Sequence, residues 1–527
     1  MKSINKIIIP LLLLVALAGC DKGFLDRPSQ SQISANNFYQ TAEEMRLATS
    51  NLYGPVWGQW NNGALLNLGD VLSGNGTTGQ YQGIDQIQLF AHSLSASNGI
   101  ANSAWVGLYN VIGQCNNTIL GIQQNAPATV APTDKNAAIA EAKFIRGVAY
   151  FYLAIQWGAV PIVEDNSKLI ENPLLNRIIV KDVYKFVTND LTFAAKNLPV
   201  KDIAGRVTTW SAQGMLGKVY LTLANLEQAG GSRNQAYLDS AKLYAGNVCK
   251  NSGIELYSSY YDLFRVQFND VPEDLFSLQW TAPADYNLGN MLNNLAPSGD
   301  LMPKKTGAWS SINPLYDFYV GYTPQDSIRR KATVMLTGDY YPELNAAGGG
   351  YKATGVCMKK HIIGNDKDNS SPLMTWTSSP EHNAILRLAD VYLIYAEAIL
   401  GNNATTTDAD ALLYFNKVRK RAGVDPVPSL DIDIILQERR IELAYEGQYW
   451  MDLVRLSYCN PTKALNILNN QDRRYFTYDA TTKVATPAVG TIADVIPATI
   501  NSFTLQIPAT ELTANPKLAD PAVPYFK

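Results

Sequence analysis

The sequence predicts a mainly α-helical protein, built of degenerate tetratricopeptide-like helical hairpins with an inserted lobe of irregular loops and short strands. Three observations predict it. First, Glu141–Pro161 (EAKFIRGVAYFYLAIQWGAVP) places Phe144, Val148, Phe151 and Ile155 at helical spacing, with Ile145, Ala149 and Tyr152 beside them. That apolar surface covers nearly the whole circumference, so the helix is expected to be buried on more than one side. Second, helical periods recur in pairs on both sides of the middle of the chain. Third, residues 254–380 break the pattern with Gly, Pro, Asn, Tyr and Trp and few clean helical periods.

In chain order, Lys2 and Lys6 precede an apolar run from Ile7 to Ala18 and then Leu17-Ala18-Gly19-Cys20. This reads as a lipoprotein signal peptide over residues 1–19, with Cys20 the lipidated first residue of the mature chain. The run is shorter than the roughly 20 residues a membrane span needs. Residues 20–34 read as a polar tether, and residues 35–253 as an N-terminal helical part. Its first helix, Phe38–Tyr53, closes at Gly54-Pro55. Residues 61–97, rich in Gly, Ser, Asn and Gln, read as a long irregular loop, the kind of place where binding residues concentrate. Helices are then expected at Trp105–Ile122, Glu141–Trp157, Val183–Leu198, Trp210–Ala224 and Gln235–Lys250. Trp210-x-x-Gln213-Gly214 fits part of the first helix of a tetratricopeptide unit, and Ala411-x-x-x-Phe415-x-x-Val418 the spacing of the second. Within the lobe at 254–380, Leu275–Trp280 reads as a strand and Gly348–Gly350 as a turn. Residues 381–527 return to helix at Ile385–Leu400, Asp408–Ala422 and Ile434–Tyr445.

Composition narrows function. The chain has 527 residues, 46% of them apolar and 10% aromatic, enough for a large core. A net charge of −3 without a basic stripe argues against nucleic acid. Cys115, Cys249, Cys357 and Cys459 form no CxxC pair, so no zinc site is expected, and their pairing is left open. The three histidines, His92, His361 and His382, make no metal-binding pair, and the chain carries neither a GxSxG elbow nor a Walker loop. Asp366-Lys-Asp368-Asn-Ser370 lacks the glycine and terminal glutamate of a calcium loop and reads as a solvated turn. Glu438, Glu442 and Glu446 share one helical face, and paired carboxylates are what glycoside hydrolysis needs, but Arg439, Arg440 and Arg455 lie among them. A structural ion-pair network is the expectation there. No cofactor is expected. The aromatic surface remains: Tyr81, Tyr286 and Trp309 stand in Gly/Asn-rich loops, whereas Trp105, Trp157, Trp210 and Trp450 follow helical periods and read as core.

Four stretches resemble one family. EAKFIRGVAYFYLAIQWGAVP, LRLADVYLIYAEAIL from Leu386, ILQERRIELAYEGQYWMDLVRL from Ile435, and Leu505-Gln-Ile-Pro508 followed by Glu511, Asn515 and Pro516 are similar, in order, to the signatures of SusD/RagB outer-membrane nutrient-binding lipoproteins. One departure is Tyr449, where the family usually has arginine. The resemblance implies a non-catalytic lipoprotein anchored at the outer-membrane surface of a Gram-negative bacterium. Asp21, which in some sorting rules retains a lipoprotein at the inner membrane, points the other way. The resemblance further implies an oligosaccharide ligand, a SusC-like TonB-dependent transporter as partner, and ligand residues drawn from the N-terminal loop and the inserted lobe. On this chain those are Asp70, Asn75, Tyr81 and Gln82, then Tyr286 and Trp309. Two alternatives stay open: the same fold binding peptide or another nutrient, and a lipid-anchored hydrolase.

Overall fold

The computed structural model describes residues 38–78, 83–310 and 312–526. The expected signal peptide, the tether and Cys20 lie outside them. A helical stack forms the body. After α1 (Ala42–Ser50), the long helices are α2 (Gly99–Asn125), α3 (Pro132–Trp157), α4 (Val180–Asn197), α5 (Thr209–Asn225) and α6 (Gln235–Asn251). They continue after the lobe as α7 (Leu388–Leu400), α8 (Ala409–Arg421), α9 (Ile432–Glu442) and α10 (Tyr449–Cys459). Each of α2 to α6 packs on the next, α6 packs on α7, and α7 packs on α8, so the hairpins continue across the inserted lobe.

The helix predicted at Glu141–Trp157 is the buried centre of this stack. From Ala138 to Trp157 only Lys143 escapes full burial. Pro132 opens α3 at a position where its missing N–H costs nothing. The helix ends at Gly158, whose N–H reaches the Ala154 carbonyl at 2.9 Å. Helix α2 begins six residues before the predicted Trp105, because Asn98 caps it by accepting from the Ala101 N–H at 3.0 Å.

Three expectations need correction. Residues 61–97 are not one irregular loop. They hold two π-helical segments, Trp60–Ala64 and Asn67–Val71, then β1 (Gly76–Thr78) and a short helix, Ile84–Phe90. Leu65, Leu66, Leu68, Val71 and Leu72 drive this by packing into the core despite the polar residues around them. Second, helix was expected from Ile385, but Asn383–Arg387 is a strand (β4) that pairs antiparallel with β2 (Asp274–Leu278), and α7 starts at Leu388. Third, the helix expected to reach Tyr445 stops at Glu442. Tyr445 (φ 57°) turns the chain instead.

Between α6 and α7 the chain forms short strands and short helical segments, of which Ser327–Thr333 is a seven-residue α-helix. β1 pairs with β3 (Ile312–Pro314), which ties the lobe to the N-terminal part. The turn at Gly348–Gly350 joins the two-residue strands Tyr340–Tyr341 and Tyr351–Lys352. Among the described residues, no helix is long and apolar enough to cross a membrane.

The clustered charges of the last third are buried and paired. Glu438 binds Arg329 and Arg419; Glu442 binds Arg329, Arg387 and Arg421; Glu446 binds Arg387 and Lys360. Asp390 joins Lys218 to Arg439, and Glu397 joins Arg233 to Arg455. This network locks α5, α7, α9 and α10 to the lobe. Buried clusters of this kind are tolerated only when every partner is supplied.

Candidate functional site

An exposed group of aromatic rings stands on the lobe. Tyr286, Trp309 and Trp376 are 58%, 38% and 39% exposed. The Trp376 ring lies 6.1 Å from Tyr286 and 6.1 Å from Trp309, centre to centre, at interplanar angles of 51° and 44°. Three loops that are far apart in sequence deliver these rings, and their backbones are tied together. Ser379 N–H donates to the Asn290 carbonyl at 2.8 Å, the Thr377 hydroxyl to the Ala284 carbonyl at 3.1 Å, and Trp309 N–H to the Asn294 carbonyl at 2.8 Å. Gly289 is required at the crossing: a Cβ there would lie 2.7 Å from Ser378 Cβ and 3.0 Å from the Thr377 carbonyl oxygen.

The first π-helical segment supports this surface from below. Asn62 donates to the Gly289 carbonyl (2.8 Å) and accepts from Met291 N–H (2.9 Å). Asn61 accepts from Asn383 (2.8 Å), which in turn accepts from the Trp280 indole (2.7 Å). On the far side Lys304, Lys305 and Ser310 all adopt positive φ, so the loop carrying Trp309 is held in a strained conformation by its surroundings. The rings are thus presented on a preformed support.

The residues expected from sequence are dispersed. Tyr286 and Trp309 meet on this surface through Trp376. Tyr81 and Gln82 lie outside the described residues. Asp70 and Asn75 are fully buried. Asp70 accepts from the backbone N–H groups of Tyr445 (2.8 Å) and Gly447 (3.0 Å) and from Asn75 (2.9 Å), and Asn75 accepts from Arg440 at 2.8 Å. Burial raises the Asp70 carboxyl to about 6, against the pull of these donors. Both residues anchor the 445–447 turn. Trp376 escapes the sequence reading, in which the ligand stretch of the lobe ends at Trp309. Its setting, Met374-Thr-Trp-Thr-Ser-Ser-Pro380, has the same polar, aperiodic character that singles out Trp309.

Other candidate chemistry resolves into scaffold. Asp368 caps the backbone N–H groups of Asn345, Ala346 and Asn365 at 2.7, 2.9 and 2.9 Å, as a turn and not a calcium loop. Among the described residues no group of three or more His, Cys, Asp or Glu is placed to hold a metal. The four cysteines are free. Tyr449, which stands where arginine was expected, lies under the Arg440 guanidinium at 4.9 Å, so a cation–π contact occupies this position. A cavity of about 980 Å³ is lined by Leu72, Arg177, Tyr458 and the segment 499–507 among others. Its tryptophan, Trp157, is only 3% exposed.

Fold and surface together define a class: a helical-repeat scaffold that carries exposed aromatic rings on an inserted lobe, with Glu438, Glu442 and Glu446 bound up in ion pairs. Residues 24–221 match a family model described as "Starch-binding associating with outer membrane", and residues 302–524 match that of the SusD family. A SusD-like protein of Bacteroides ovatus is 35% identical, over 99% of this chain and 98% of its own. The chain belongs to the SusD family. A crystal structure described as containing a xylogluco-oligosaccharide is 33% identical, with a TM-score of 0.84 over 92% of this chain and 99% of that one. A SusD-like carbohydrate-binding protein from Bacteroides fragilis, 23% identical, shares the fold with a TM-score of 0.70 over 91% of this chain.

Proposed function

We propose that the protein is a non-catalytic cell-surface lipoprotein that captures an oligosaccharide on the Tyr286–Trp376–Trp309 surface and hands it to a SusC-like TonB-dependent transporter. The single observation that carries this is the exposed aromatic trio on a rigid support. Sugar rings present C–H faces that stack on aromatic rings, while neighbouring amides, hydroxyls and carboxylates satisfy their hydroxyl groups. The xylogluco-oligosaccharide of the solved neighbour supports a glycan over a peptide. Association with the outer membrane accords with the family description, and lipidation at Cys20 rests on the Leu17-Ala18-Gly19-Cys20 motif. Tyr81 and Gln82 are assigned to the same surface from sequence alone.

Calorimetry with a panel of neutral oligosaccharides, beside a peptide pool and an assay for released sugar, tests the reading. Binding of a glycan without product formation is expected. Alanine at Tyr286, Trp309, Trp376 or Tyr81 is expected to weaken it by about 1 kcal/mol each, as losing one aromatic partner does, without lowering the melting temperature. Peptide binding, hydrolysis, or affinity unchanged in all four variants rejects it.

A further inference from the structure

Trp376 belongs to two surfaces. One is the aromatic trio. The other is a cleft of about 640 Å³, lined by Trp376 with Thr281, Pro283, Asp285, Leu288 and Thr377 among others, but by neither Tyr286 nor Trp309. The cleft therefore adjoins the trio at Trp376, whose ring is inclined to both of its neighbours. A substituent that leaves a chain on the trio at Trp376 has this cleft beside it.

Resting on the glycan reading above, we propose that this cleft is a second subsite that takes the branch of a neutral branched glycan while the trio holds its backbone. Its size lies within the range of small-ligand pockets. Its walls suit a neutral sugar: Pro283 and Leu288 offer apolar faces, and Asp285 and Thr281, both exposed, offer groups for hydroxyls. Asp285 is the one charged side chain lining it, with no lysine or arginine opposite, so a branch carrying a carboxylate or sulfate meets only like charge. The floor is preformed. Thr375 N–H donates to the Ser378 carbonyl at 3.1 Å, the Thr375 and Thr377 hydroxyls lie 3.0 Å apart, and Thr377 is bound to the Ala284 carbonyl. Little ordering is left for a ligand to impose.

The test is calorimetry on the whole protein with matched pairs that differ only in branching: a xylogluco-heptasaccharide against cellotetraose, a galactosyl-mannopentaose against mannopentaose, and a glucuronosyl-xylotetraose as the acidic branch. The expected result is a gain of about tenfold or more for a neutral branched member over its own backbone, and no gain for the acidic branch over xylotetraose. Leu288 is 49% exposed, so Leu288→Trp fills the cleft from its rim. It is expected to abolish the gain while leaving affinity for the unbranched chain within about twofold. Thr281→Trp serves as an independent filling variant if Leu288→Trp lowers the melting temperature. Equal affinity within every pair, or a gain that survives both filled variants, overturns the branch subsite and leaves the glycan reading standing. Failure of every glycan to bind overturns the glycan reading, and the branch subsite with it.

Discussion

At the scale of single residues, the carboxylates of the last third are bound so closely that their charge serves stability. Burial works to raise the Glu446 carboxyl, but Arg387, at 2.8 and 2.7 Å, and Lys360, at 2.8 Å, overcome it and bring it from 4.5 to about 2. A carboxyl depressed in the folded state contributes stability above its unfolded pKa and loses it as pH falls through the folded one. For Glu446 this window runs from about pH 4.5 down to about 2, and the shift corresponds to roughly 3 kcal/mol. Urea unfolding of wild type and Glu446→Gln between about pH 2 and 7 checks this. Wild type is expected to be the more stable by the largest margin above about pH 4.5, with the gap closing toward about pH 2. A gap independent of pH contradicts the assignment.

At the scale of elements, the unexpected piece is the pair of π-helical segments at 60–71. It does two jobs. Asn61 and Asn62 at one end hold the loops behind the aromatic trio, and Gly69 and Asp70 at the other dock on the 445–447 turn. Gly69 comes so near that turn that a Cβ would overlap Gly447 Cα, a backbone clash that no side-chain rotation relieves. Gly69→Ala is therefore expected to destabilise the fold by about 3 kcal/mol or more, the upper range of overpacking costs. Denaturant unfolding measures it. Melting like wild type shows that the segment can shift away from the turn.

At the scale of the whole molecule, the proposed function assigns different roles to the helical stack and the lobe. Solenoid-like stacks present broad rigid surfaces to a partner, and the aromatic trio belongs to the inserted lobe. In the proposed assembly the stack contacts the transporter barrel while the trio faces the ligand enclosed beneath. Such a lid requires a contact well above the roughly 1,000 Å² typical of specific interfaces. The tagged protein, extracted from its own membranes in mild detergent, is expected to bring down a large barrel protein in near-equal amount. Its recovery alone, under conditions that preserve other membrane complexes, rejects the transporter partnership.

The sequence by itself determined the helical body and the family. Helical periods such as Phe144–Val148–Phe151–Ile155 are local, so a one-dimensional reading finds them, and the glutamates and arginines clustered at 438–446 announce an ion-pair network, although their partners come from other segments and not from one another. Tyr286 and Trp309 were legible for the opposite reason: large rings without a period have no core position to fill. Tertiary structure alone decided the rest. Asp70 and Asn75 look like ligand residues in a polar loop, but Leu68, Val71 and Leu72 pull that segment inward, and partners some 370 residues away consume their polar atoms. Ile385–Arg387 carries a pattern compatible with helix, but pairing with Asp274–Leu278 makes it a strand. Trp376 joins Tyr286 and Trp309 only because Gly289 lets two distant loops cross. Local periodicity is written in neighbouring residues, whereas a surface assembled from three loops depends on long-range backbone contacts that no local pattern encodes.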